Sequence, residues 1–260
     1  HGQSSPEVLL PLLAALTSRL RVGTAGVLMA FHSPYKVAQN FLLLESLFPG
    51  RIDLGLARGS VSPSTARALL SGRPAALEPE CYAAVINELL GWLNGAGPER
   101  IAPHRSAPEP WILGSSGATV MQAAKLGTAF SLALFFGGDS DSTIVQRYRE
   151  NFRPSARVCA PICNIAVAGV CADSELEARR LADAATKGGL ITHVAGTSAQ
   201  CHEQLLALAD RYGVDEVIFR DVSPTSATKL RSYELLPERF RLPILPCAAS
   251  LRCSADSFPG

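Results

Sequence analysis

The chain lacks any run of 18 apolar, uncharged residues, so a membrane-spanning helix is not expected. It lacks a surplus of either charge. Its 24 Lys and Arg against 23 Asp and Glu leave a formal net charge of +1, which gives no electrostatic reason to expect nucleic acid. It lacks a C-x-x-C, and its seven cysteines are irregularly spaced along 260 residues. That usage fits a reduced, cytoplasmic protein better than a disulfide framework. No signal-peptide pattern opens it. Neither G-x-G-x-x-G nor a Walker lysine is present, so neither a dinucleotide fold nor a P-loop is indicated. What the chain does have is apolar material: 47% hydrophobic and 18% charged residues suffice for one large α/β domain with a sizeable core.

The stretch from Leu20 to Gly59 organises the rest. Arg21 to Leu28 is β-branched and small, and predicts a buried strand. Ser33 can cap a helix and Pro34 suits its first position. Val37, Phe41, Leu44 and Leu47 then recur at helical spacing. Pro49 and Gly50 stop that helix, and Arg51 to Leu56 gives a second strand. Strand, crossover helix and strand make a βαβ unit with parallel strands.

Elsewhere, Pro6 and Glu7 open a helix whose Val8, Leu9, Leu12, Leu13 and Leu16 predict a wide apolar face. Helices are expected over 60–72, 78–95, 114–127, 143–152 and 174–186, then after Thr197 or Ser198 and through KLRSYELLPERF. Six strands are expected: 20–28, 51–56, 111–114, 130–136, 162–171 and 216–222. Their alternation with helices argues a parallel α/β architecture, two strands short of a (β/α)₈ barrel at the front. The tail from Pro243 has no period and is expected to be loosely held.

The segment WILGSSGATVMQAAKLG is a strand, a Gly/Ser turn and a helix start. The free N–H groups and positive end of such a helix favour an anion. Ser115, Ser116 and Thr119 add hydroxyls beside Gly114. Ordinary turn and cap chemistry is the competing reading. Arg58 follows a strand, on the face where barrel enzymes place their sites, and a guanidinium there can clamp a phosphate; a surface ion pair is the alternative. Cys163 and Cys171 fall in or beside a buried strand and read as core thiols. Cys201 and His202 are adjacent and do not predict a metal site. Asp139 and Asp141 read as a solvated loop, His32 as a loop or capping residue, and Arg231 as structural. No metal ligand set is expected.

The stretch RVGTAGVLMAFHSPYKVAQNFLLLESLFPGRIDLGLARG, followed by the Gly-Ser-Ser segment and LITHVAGTSAQCHEQLLALADRYGVDEVIFRDV, resembles the bacterial luciferase-like flavin-dependent monooxygenases, in particular those of natural-product biosynthesis. The resemblance covers most of residues 1–243. It implies one luciferase-like TIM barrel over 1–243, missing its first two strands here, with an irregular tail over 244–260. It implies that Arg58, Gly114, Ser115, Ser116 and Thr119 bind the flavin phosphate. It places Ala25 and Gly26 at a bulge behind the isoalloxazine ring, often with a non-proline cis peptide. It matches His1 to a histidine beside the reacting edge, making His1 the catalytic candidate. A histidine common in the strand matching 130–136 is replaced by ALFF, from Ala133 to Phe136, which points to an aromatic or otherwise apolar substrate. The implied cofactor is reduced FMN from a separate flavin reductase; the implied assembly is a homodimer acting on a small molecule. A deazaflavin (F420) oxidoreductase and a non-catalytic flavin-binding protein are the rival readings.

Overall fold

The computed structural model describes residues 5–59, 79–101, 106–137 and 141–240. His1, Asp139, the helix expected over 60–72 and the tail from 241 lie outside the described residues. The chain divides into two compact units: His1–Val167 with Ala209–Ile218, and Ala168–Leu208 with Phe219–Gly260.

In the first unit, α1 (Pro6–Ala15) begins with proline in its first turn. Only Leu10 and Ala14 are buried. Val8, Leu9, Leu12, Leu13 and Leu16 remain 47–68% exposed, which corrects the expected core face. A helical apolar stripe is buried only where another element covers it, and among the described residues α1 packs mainly on β1 (Val22–Gly23). The single strand expected over 20–28 is in fact two, β1 and β2 (Val27–Leu28), and both pair in parallel with β3 (Ile52–Ala57). Val22 pairs with Ile52 and Val27 with Leu56, so five steps on one side face four on the other. The extra residue is a bulge, centred on Ala25 and Gly26, whose peptide is cis.

Between them runs α2 (Pro34–Leu47). Pro34 is at its first position and the Ser33 hydroxyl accepts the Lys36 N–H, as the sequence predicts. Val37, Phe41 and Leu44 are buried; Leu47, at the last turn, is 58% exposed, against expectation. Glu45 is buried because its carboxylate ties the helix end to the next turn, accepting the Gly50 N–H (2.7 Å) and the Ser106 hydroxyl (3.0 Å).

Next come α3 (Pro79–Leu93), β4 (Glu109–Gly114), α4 (Gly117–Leu126), β5 (Ala129–Ala133), α5 (Thr143–Asn151) and β6 (Cys163–Cys171). β5 ends three residues early because Leu134–Phe136 turn into a 3₁₀ helix closed by a left-handed Gly137. β3, β4, β5 and the start of β6 lie side by side in parallel. Period-2 alternation then sorts the side chains. One face presents Ile52, Leu54, Leu56, Ile112, Phe130, Leu132 and Ile165, all fully buried. This is the core of the unit, and Tyr148 of α5 joins it, donating its hydroxyl proton to the Thr128 carbonyl (2.7 Å).

The other face is mixed. At its amino-terminal end Arg21 forms an ion pair with Asp53, and Asn164 donates to the Glu216 carboxylate (2.9 Å). Glu109, register partner of Asp53, has its carboxyl pushed above the usual range by burial and by the Asp53 charge, with Arg21 opposing. A carboxyl raised in the fold stabilises the fold when protonated and loses that contribution as pH rises past the unfolded value of about 4.3. Glu109→Gln is therefore expected to raise the urea midpoint at pH 7 and to have little effect below pH ~4, where both states carry the proton.

In the second unit the rest of β6 pairs in parallel with β7 (Val194–Gly196), Gly169 opposite Val194 and Cys171 opposite Gly196. β7 was not expected; three residues cannot show a period. The Gly169 carbonyl also accepts the Val222 N–H (3.0 Å). α6 (Glu175–Lys187) is capped by Ser174, and α8 (Ser226–Arg239) by Thr225 and Thr228 reciprocally. Arg231 is structural, bridging Asp173 (2.6 Å) and Glu234 (3.2 Å). Like β6, the elements α7 (Ser198–Tyr212) and β8 (Val217–Asp221) contribute residues to both units. Cys171 and Cys201 are buried free thiols, while Cys163 is half-buried and Cys159 exposed. Among the described residues no helix is long and apolar enough to cross a membrane, and no three His, Cys, Asp or Glu side chains are arranged to hold a metal.

Candidate functional site

The register of β3 and β4 builds the site. Leu56 pairs with Ile112, so Arg58 and Gly114, each two residues further on, leave the sheet at the same level. Both are at the carboxyl ends of parallel strands, where this architecture exposes loops and helix starts.

Beyond Gly114 the chain turns once and enters α4. Ser116 is the N-cap, in extended conformation (φ −118°, ψ 152°), and its Oγ accepts the Thr119 N–H (3.3 Å). The Ser116 and Thr119 hydroxyls lie 3.0 Å apart and share one hydrogen bond. One of the two protons is used there, which leaves the other to donate outward. The N–H groups of Gly117 and Ala118, in the first turn, have no intrahelical acceptor. Gly114 is required by close approach. A Cβ there would stand 2.5 Å from Thr119 Cγ2 and 2.9 Å from Thr119 Oγ1. Only a bare backbone lets Thr119 lie over the strand end. Ser115 is half-buried and Arg58 is exposed, and neither has a hydrogen-bond or ion-pair partner among the described residues.

These groups are hydroxyls, backbone N–H and a guanidinium, with the positive end of a ten-residue helix behind them. The set fits a phosphate: every group donates, and no carboxylate stands among them.

One strand away lies the bulge. A Cβ on Gly26 would be 2.8 Å from the Gly55 carbonyl oxygen, and the Thr24 hydroxyl donates to that same carbonyl (3.0 Å). Leu28 then pairs with Ala57, the residue before Arg58. The structure thus brings Ala25 and Gly26, Arg58, and the segment Gly114 to Thr119 to one end of one sheet. At that same end, Phe135 and Phe136 follow β5, their rings 4.7 Å apart, with Phe136 71% exposed. A cavity of about 180 Å³ opens at Val27, just past the bulge, and is lined also by Phe31, His32, Lys36, Asn40 and Phe41. His32 lines this cavity as well as preceding the cap, which its position in the sequence does not reveal.

A parallel α/β fold with hydroxyls, a helix start and a guanidinium gathered at its strand ends defines a class, and comparison with known proteins places the chain within a family of that class. The family model described as luciferase-like monooxygenase matches residues 1–217. The chain belongs to this family, whose members are oxidoreductases. It is 34% identical over 280 residues to the protein YwcH of Bacillus subtilis (strain 168), covering 91% of this chain and 84% of YwcH. It is 34% identical over 184 residues to a luciferase-like monooxygenase of Escherichia coli (strain K12), covering 69% of this chain and 55% of that protein. The crystal structure of apo-MsnO8 superposes with a TM-score of 0.83 at 27% identity, covering 92% of this chain and 83% of that one.

Proposed function

We propose that this chain is the flavin-binding oxygenase of a two-component system, taking reduced FMN from a separate reductase and oxidising a small organic molecule. The carrying observation is the shared level of Arg58 and the Gly114–Thr119 turn at the ends of β3 and β4. Arg58, Ser115, Ser116 and Thr119 would hold the phosphate; Ala25 and Gly26 would back the ring. Bound reduced FMN supplies the electrons for oxygen activation. The chain supplies the grip, the orientation and a water-poor surface around the ring.

The substrate reading rests on Phe135 and the exposed Phe136, which follow β5 at the same end of the sheet and support an apolar or aromatic molecule, of the kind found in natural-product biosynthesis. His1 keeps its proposed role in proton transfer by resemblance alone. The same reading takes the domain over 1–243 as a (β/α)₈ barrel and the protein as cytoplasmic. The exposed Leu12, Leu13 and Leu16 of α1, with Leu43 and Leu47 of α2, support a homodimer.

Fluorescence-quenching titrations with FMN and with the deazaflavin F420, each oxidised and reduced, test the proposal. Saturable quenching by FMN is expected. Quenching by F420 alone would transfer the reading to a hydride-transferring oxidoreductase, and quenching by neither would refute a flavin function.

A further inference from the structure

Tyr82 lies in the first turn of α3, the helix that carries the chain from β3 back to β4. A crossover helix between parallel strands starts at their carboxyl ends, so Tyr82 sits at the same end of the sheet as Arg58. It is 4% exposed, and its hydroxyl has no hydrogen-bond partner among the described residues. A buried hydroxyl without a partner is costly, so the position asks what would satisfy it. Burial pushes the phenol above its ordinary pKa, and the Arg58 charge pulls the other way, which puts the guanidinium within electrostatic reach of the ring. Arg58 itself has no anion among the described residues. Neither donor has an acceptor among the described residues. A shared, negatively charged acceptor satisfies both at once.

We propose that Tyr82 is a positioning residue for the cofactor, its hydroxyl donating to the same phosphate oxygen that Arg58 neutralises, so that the site selects a phosphorylated flavin. The proposal rests on the flavin reading above and extends it by a residue that neither composition nor the resemblance assigns. Its consequence is selectivity: the phenol adds nothing for a flavin that ends in a ribityl hydroxyl.

The test compares FMN with riboflavin, by fluorescence quenching, on the wild type and on Tyr82→Phe, with thermal melting of both apo proteins. Wild type is expected to prefer FMN. Tyr82→Phe is expected to bind FMN about tenfold more weakly, since hydrogen bonds to charged groups are the strong ones. Its riboflavin affinity and its apo melting temperature should match wild type. Equal loss for both flavins, or no loss for either, would overturn the role of the hydroxyl while leaving the flavin reading intact. A wild type that binds neither flavin would sink the flavin reading instead. Should Tyr82→Phe melt early, inorganic phosphate gives a second measurement: it should raise the melting temperature of wild type more than that of the variant, and equal shifts would count against the proposal.

Discussion

Arg58→Ala weakens FMN binding by about 10- to 100-fold and leaves riboflavin binding unchanged; this follows from losing one charge-assisted contact of about 1.5–3 kcal/mol. The residue has no other partner to lose among the described residues, and it is exposed, so the fold should not suffer. Arg58→Lys should recover only part of the affinity, because an ammonium provides charge without the two-pronged fork. Isothermal titration with both flavins separates these outcomes. A uniform loss for FMN and riboflavin would mean that the arginine shapes the site instead of holding a phosphate.

Gly55→Ala is expected to be the most damaging substitution to the fold around the site. A Cβ at Gly55 would fall on the Thr24 carbonyl oxygen, far inside contact distance, and within 3.0 Å of the Leu113 side chain. The carbonyl is backbone and cannot rotate away. The bulge would be forced off β3, with loss of the buried Thr24 hydroxyl contact to the Gly55 carbonyl. Such overpacking against main chain costs about 3 kcal/mol or more. The urea midpoint should fall by about 1 M or more. An unchanged midpoint would show that the bulge is not held by its contact with β3.

Much of this was legible in local residue order. Ser33 and Pro34 announce α2, Ser116 and Gly127 bracket α4, and the largely apolar run of β6 marks a strand covered on both faces. The Gly-Ser-Ser turn and Arg58 were readable as site candidates because helix starts and strand ends are local features. What was not legible depends on partners. Residues 21–28 look like one strand because nothing local breaks them; the break comes from matching five steps to four on β3 and from the room that Gly55 leaves. The face of α1 reads as core because a sequence shows amphipathicity and not coverage. Tyr82 reads as one more aromatic on an amphipathic helix; only its buried, orphaned hydroxyl distinguishes it. β7 is three residues long and leaves no pattern at all.

A crystal structure of the protein soaked with FMN asks the central question directly. The account predicts the phosphate within hydrogen-bonding distance of Arg58, of the hydroxyls of Ser115, Ser116 and Thr119, and of the first N–H groups of α4, with the ring against Ala25 and Gly26. A flavin bound elsewhere, or one whose phosphate points into solvent away from the ends of β3 and β4, would contradict it.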